Sequence, residues 1–448
     1  LIKENYHKRV KKRDTVYFLG DVAFDEESLA DVKTWAGAKK ILICGNHCHT
    51  QGTELLTLKG WKPVEEISME DFVATVDLDD DRITFENPKR VVFNESSELI
   101  KFSNPWVEDV VSSGHNVVVD GQLVPAISLV GEKLSTSTLK LSAFANNTGV
   151  GLPVKYMQLL MWVVMDGTMV RSSERKTRIQ FKLSKERKIS RLESLLQDLE
   201  IPYTKRICKK SGINKLQPYY IRIYGEHSLK IHDHLGGVKQ LPESWTNMSL
   251  SEVFAVLQTL KETDGFKEVN KLRWVSSSKN DVEVLQQACI TNGIAFSISE
   301  KLNGSGFANG KLQYSCYIDE SSSVLSSKDV QVEKLPVQGK TYGVTMSKGT
   351  TIARRNGKVW VTGNCTDHFS MRQLVDAYDE VYSLFKYKNM WLSHAPIHPD
   401  ELRGRVNIHG HTHYHVIDDS RYLNVCMEQI DYTPIELHEL RKKIYGTD

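Results

Sequence analysis

No apolar run approaches the roughly 18 residues that a bilayer crossing needs, so no membrane-spanning helix and no membrane partner are expected. There is no Cys-x-x-Cys pair. The seven cysteines, Cys44, Cys48, Cys208, Cys289, Cys316, Cys365 and Cys426, are few and irregularly spaced. That argues against a disulfide scaffold and for a reducing, cytoplasmic compartment. Charge of one sign is scarce too: 58 Lys and Arg stand against 56 Asp and Glu. A net charge of +2 excludes a polyanion-binding tail protein taken as a whole. The chain opens on Leu1 without a charged-then-apolar leader, and we expect it to be a piece of a longer, monomeric product. What remains is ordinary globular composition, 40% hydrophobic and 25% charged, over 448 residues. At about 150 residues per domain that length implies about three domains.

The chain changes character four times. Residues 1–47 read as a basic helix end, a strand over 15–19, a helix over 26–35 and a buried strand over 40–43, an α/β unit. Residues 48–140 alternate short strands (72–76, 82–85, 90–93, 99–102, 116–119) with turn signals, a compact all-β body. Residues 141–330 hold two helices, over 156–165 and 250–263. Each ends in Asp-Gly and is followed by strand-like sequence, an amphipathic helix and an extended stretch, a weak repeat. Residues 331–364 return to short strands, and 365–448 resume the α/β pattern with a helix over 371–378 and strands over 390–392 and 406–409. The order is nested, with outer and inner pieces each interrupted by the next.

The outer pieces carry metal-ligand types at strand ends: Asp21, Asn46, His394, and His411 with His413. Such ligands converge at one edge of an open sheet. Imidazole, carboxylate and amide oxygen together suit a two-metal site that activates water and neutralises phosphoryl oxygens. Singly, Asp21 also reads as a helix cap, and His411 with His413 as two exposed histidines on one strand face. The order Gly20-Asp21, Gly45-Asn46-His47, Ser393-His394 and "GHTH" (410–413) resembles the calcineurin-like metallophosphoesterases. The resemblance implies a phosphoester substrate and two divalent metals of the manganese, iron, zinc or nickel type. It implies that Asp21 bridges the metals and that His47 protonates the leaving group. The family's opening Asp-x-His motif is absent here, and Cys365 stands where an acidic residue usually follows the "GNH" once the pieces are joined.

Between those pieces, "CHTQGTELLTLKGWKPVEEI" from Cys48, "SSGHNVVV" with Ser112 and His115, and "TYGVTMSKGTTIARRNGKVWVTGNC" ending in Asn364-Cys365 resemble the motifs of inteins, built on a Hint-type all-β splicing domain. The resemblance implies that 48–364 excises itself without a cofactor. Cys48 attacks the carbonyl of His47 to form a thioester, its thiolate being the nucleophile. His115 protonates the departing nitrogen, while Ser112 holds the carbonyl or orients His115. Cys365 takes over the acyl group and Asn364 cyclises, joining His47 to Cys365. These groups must meet for the reaction to run. Ser112 replaces the family's Thr, and Gly363 stands where the family commonly has His.

Nested deeper, "LLMWVVMDG" (159–167) and "LQTLKETDG" (257–265) resemble the paired helices of LAGLIDADG homing endonucleases, an α/β fold with a pseudo-two-fold repeat. The resemblance implies that Asp166 and Asp264 hold Mg²⁺ for cleavage of double-stranded DNA. Met161 and Thr259 replace the family's first Gly. From Arg171 to Lys215, 14 basic residues stand against 5 acidic, with "TRIQFKL" able to lie in a major groove. Two other readings stay open: a metallophosphoesterase with an insertion that never leaves, and a splicing segment with an inactive endonuclease.

Overall fold

The computed structural model describes residues 1–20, 22–23, 26–43, 48–96, 99–131, 137–173, 176–209, 216–263, 266–268, 271–302, 312–326, 330–335, 339–364, 371–382, 384–394, 396–397, 399–410, 412, 414 and 416–446. The chain is multidomain and mixed α/β.

Thr15–Phe18 pairs in parallel with Lys39–Ile43, and Glu380–Tyr382 adds in parallel on the other side of Lys39–Ile43. The two outer segments therefore build one sheet although more than three hundred residues separate them. Alternation sorts its side chains. Phe18 and Leu42 pack with Tyr6, Leu29, Val32, Leu374 and Tyr378 from helices Ile2–Arg9, Glu26–Lys33 and Met371–Ala377 and the residue after the last. Ile41 and Ile43 face Met390, Leu392 and Ile408. These belong to a second sheet, Leu384–Tyr387, Met390–Ser393, Val406–His409 and Tyr422–Asn424. The expected single open sheet is thus two sheets packed face to face, because each offers an apolar face to the other.

The two β segments of the interior interleave. A six-stranded sheet takes Leu99–Ser103, Glu108–Ser112, His49–Thr50 and Arg90–Ser96 from the first, and Gln331–Leu335 and Gly339–Thr345 from the second. A ten-stranded sheet places Lys358–Gly363 between Asn116–Val119 and Thr350–Arg355, which in turn pairs Thr53–Thr57. Two hairpins make this compact. Asp120-Gly121 and Asn356-Gly357 are two-residue loops with all four residues at positive φ, the conformation that asparagine, aspartate and glycine tolerate and that matches strand twist. Buried Leu55, Ile100, Phe102, Val111, Val117 and Trp360 form the core. Val324–Ser326, within the expected middle segment, hydrogen-bonds to Thr138–Lys140 and so extends this sheet.

The middle segment repeats one pattern. Helix Val154–Asp166 leads into strands Gly167–Ser173 and Lys176–Leu183, helix Glu186–Asp198, then Tyr203–Ile207 and Tyr219–Ile223. Helix Leu250–Glu262 leads into Phe266–Glu268 and Lys271–Ser276, helix Lys279–Ile290, then Ala295–Leu302 and Leu312–Asp319. In both four-stranded sheets the last two strands are exchanged in order. The second copy's helices start on local signals: Ser249 and Glu252 form a capping box, and Ser278 accepts the N–H of Asp281. The leading helices pack on each other, with Gln158 Nε2 donating to Ala255 O at 3.5 Å. Met161 and Thr259 are both fully buried. Leu159, Trp162, Leu257 and Leu260 share one core with Leu56, Val76, Val118 and Val361 of the ten-stranded sheet. Among the described residues no helix is long and apolar enough to cross a membrane.

Candidate functional site

Cys48 is fully buried. Its N–H donates to Ser112 Oγ at 2.8 Å, and its carbonyl accepts the Ser112 N–H at 2.9 Å. Ser112 ends strand Glu108–Ser112, which pairs with the residue after Cys48 through Val111 and His49. One serine therefore holds both backbone groups of the cysteine. The expected place for this hydroxyl was the carbonyl before Cys48, or His115. Its observed place is the amide nitrogen that would depart in thioester formation, because the antiparallel register aligns the two backbones.

Three residues on, His115 turns back so that its N–H donates to Ser112 O at 3.0 Å. Its ring is fully buried, with Nε2 2.9 Å from Thr362 Oγ1. Thr362 lies opposite Val117 in the closing strand Lys358–Gly363. Asn364 follows directly, 2% exposed. Its N–H donates to Gly349 O at 3.0 Å and its Nδ2 to Met346 O at 3.4 Å. Both ends of 48–364 thus meet the turn 112–116. Gly363 is fixed by the same approach: a Cβ there would lie 2.3 Å from Asn116 O and 2.6 Å from Asn116 Cβ. The position at which the resembled motif commonly carries histidine has no room here for a side chain.

Two residues escaped the sequence reading. Asp109 is fully buried. Its carboxylate lies 3.0 Å from His49 Nδ1 and accepts from Thr53 Oγ1 at 2.8 Å and Trp360 Nε1 at 3.0 Å. Burial pushes its pKa up, but the charge and hydrogen bond of His49, the charge of His115 and the Thr53 hydroxyl outweigh it and hold the group at about 2. The His49 ring sits edge-on to that of His115, centroids 4.5 Å apart. The strand buries Asp109 beside Val111 while Glu108 and Val110 stay half-exposed, an alternation that the run Glu-Asp-Val-Val-Ser does not show.

Asp166 closes its helix, and its Oδ2 pairs with Lys188 Nζ at 2.8 Å. Gly167 does not take the left-handed cap conformation; its φ is −81° and the chain runs straight into a strand. Glycine is needed there because a Cβ would lie 2.7 Å from Val163 O. In the outer segments, His394 Nδ1 lies 2.9 Å from Leu19 O, so this nitrogen donates to the carbonyl. Gly410 N–H donates to His394 O at 2.8 Å, and a Cβ on Gly20 would collide with the His394 ring. The ends of three strands from two sheets therefore meet: Gly20, His394 and Gly410. Asp21, Asn46, His47, Asp264, Cys365, His411 and His413 lie outside the described residues, which hold no cluster of three or more metal-ligating side chains.

No protein-family model matches the chain. A curated relative, the ribonucleoside-diphosphate reductase subunit beta of Aquifex aeolicus (strain VF5), is 23% identical over 360 residues, covering 71% of this chain and 50% of that protein. The chain spans about half the length of the curated relative it matches. Among solved structures, the homing endonuclease I-DmoI in complex with DNA and Mn is 17% identical over 37% of this chain and 90% of its own, with a TM-score of 0.28. The AceL NrdHF class 3 split intein is 10% identical over 71% of this chain and 99% of its own, with a TM-score of 0.24. No phosphoesterase stands among these relatives, so the expected class of the outer segments takes no support from them.

Proposed function

We propose that the chain is a self-splicing precursor in which 48–364 leaves and joins 1–47 to 365–448. The observation that carries this is the meeting of both ends of the segment on the turn 112–116: Cys48 through Ser112, and the stretch before Asn364 through His115 and Thr362. Ser112 Oγ accepts the N–H of the amide nitrogen that must depart. Burial of Cys48 and Asn364 keeps water from the thioester. The Cys48 sulfur bonds to the carbonyl carbon of His47, the carbon–nitrogen bond breaks, and the nitrogen takes up the thiol's proton through His115. The Cys365 sulfur then takes the acyl group and the Cys48 thiol leaves with the proton; Asn364 Nδ2 attacks its own backbone carbonyl and expels the amine of Cys365, which takes the acyl group from sulfur to form the joining amide. Expression of the precursor yields, in this reading, a joined product and a free middle segment on mass spectrometry. Asn364→Ala stops the joining, and Cys48→Ala leaves the His47 bond intact. An unchanged band pattern across all three would leave only a permanent insertion.

The middle segment is in this reading a DNA endonuclease. Asp166, with Asp264, would hold Mg²⁺ at the paired helix ends, and the cation would supply an activated water. The fit rests on a partly exposed carboxylate closing a helix that packs on its twin, with Lys188 sharing the charge. Incubating the excised segment with DNA of the uninterrupted site and Mg²⁺ should give cleavage, lost in Asp166→Asn; absence of nicking supports an inactive domain. For the outer segments we retain a two-metal phosphoesterase. His394 fits a metal because its Nδ1–H is spent on a backbone carbonyl, the contact by which a ligating imidazole is oriented. The spliced product with Mn²⁺ is expected to hydrolyse a bis-aryl phosphate, and His394→Ala to lose that activity.

A further inference from the structure

Asp109 and His49 take no part in the steps above, yet they lie buried against the residue that handles the proton. An ionised carboxylate only accepts hydrogen bonds, so the 3.0 Å contact places the His49 proton on Nδ1. His49 Nε2 is then buried and meets no hydrogen-bond partner among the described residues. Its ring abuts that of His115. The side-chain donors to Asp109 come from both ends of 48–364, His49 and Thr53 from its start and Trp360 from its finish.

We propose that His49 and Asp109 form a positioning dyad for His115: the carboxylate fixes the His49 ring, and that ring fixes the orientation and charge of His115 while the Cys48 thiol proton passes to the departing amide nitrogen. The inference rests on the splicing reading. The proton count closes, since one proton leaves sulfur and one arrives on nitrogen while one carbon–sulfur bond replaces one carbon–nitrogen bond. The dyad is the arrangement by which a third group orients a base. The Asp109 anion stabilises one imidazolium in the pair, and two at this separation repel. Other charges face the cluster: Arg355, held on Thr50 and Thr53, and the Glu108–Lys358 pair. All are left in place by the variants below.

The test uses the full chain carrying Asn364→Ala and Cys365→Ala, which isolates the first step. Cleavage at the His47–Cys48 bond by dithiothreitol is followed from about pH 5.5 to about 9. Asp109→Asn should slow it roughly tenfold at neutral pH and move the alkaline limb of the rate profile down by about one pH unit, because the lost charge weakens the imidazolium. Asp109→Glu, which keeps the charge, should hold the limb in place. An unchanged rate, or a uniform loss with the limb unmoved, overturns the proposal. Should near-ultraviolet circular dichroism show Asp109→Asn unfolded, His49→Gln, which removes the orienting ring and keeps the carboxylate charge, should slow cleavage to a similar extent without moving the limb down, and an unchanged rate overturns the proposal. Cleavage that persists in Cys48→Ala would instead defeat the splicing reading itself, whatever Asp109 does.

Discussion

Gly363 sits within 2.3 Å, measured from where its Cβ would be, of the carbonyl of Asn116. Placing histidine there therefore pushes strand Lys358–Gly363 off Asn116–Val119 rather than supplying a proton donor. We expect Gly363→His to cost on the order of 1–3 kcal/mol and to slow cleavage after Asn364, read by urea unfolding and by mass spectrometry. A variant that cleaves faster at unchanged stability would refute this. Asp109 makes a second residue-scale expectation. Its pKa is lowered from 3.8 to about 2 in the fold, so it contributes stability that is fully present above about pH 4 and is lost as pH falls through about 2, of order 2 kcal/mol. Urea unfolding of the wild type and Asp109→Asn should therefore differ most near neutrality and converge between about pH 4 and about 2. Neither feature was legible in the sequence, because a glycine's neighbour and an acid's burial are set by strands distant in the chain.

At the scale of elements, the hairpin Thr350–Arg355 to Lys358–Gly363 returns the chain to the turn 112–116. Its loop was legible: Asn-Gly between two apolar runs is a strong hairpin signal. The contact it makes was not. Gly357 has φ +78°, and a Cβ there would lie 2.8 Å from both Ile298 Cβ and Ile298 O. Its carbonyl accepts Ile298 N–H at 3.0 Å and Gln286 Nε2 at 2.8 Å. Gly357→Ala combines left-handed strain with a backbone clash. We expect a loss of about 1–3 kcal/mol and a lower thermal midpoint, with the neighbouring Asn356→Gly close to neutral. Equal midpoints for Gly357→Ala and the wild type would refute it. The paired helices were readable from their repeated Asp-Gly endings; Met161 and Thr259 fall on the buried side of each. The extra strands His49–Thr50 and Glu108–Ser112 were not, being too short or too polar to show a period of two.

At the scale of the molecule, the middle lobe and the ten-stranded sheet share one hydrophobic core. Arg354, nearly buried, crosses between them to Glu54 at 2.7 Å and Glu283 at 2.9 Å. Replacing 141–323 by a short polar linker should therefore bare Leu56, Val76, Val118 and Val361, raising dye binding and lowering the soluble fraction; polar replacements at those positions should restore it. A deletion with neither change would mean that the lobe is a detachable passenger. By itself the sequence determined the nested order of segments, the hairpin turns, the repeated helix endings and the residue types at the two ends of 48–364, because these follow from local conformational preference and periodicity. Only the tertiary structure decided that the outer segments pack as two sheets, that Ser112 takes the Cys48 nitrogen, that Gly363 must be small, and that His49 and Asp109 stand behind His115. Each of those is a contact between strands remote in the chain, fixed by register and by which apolar faces find each other, and no local rule encodes it.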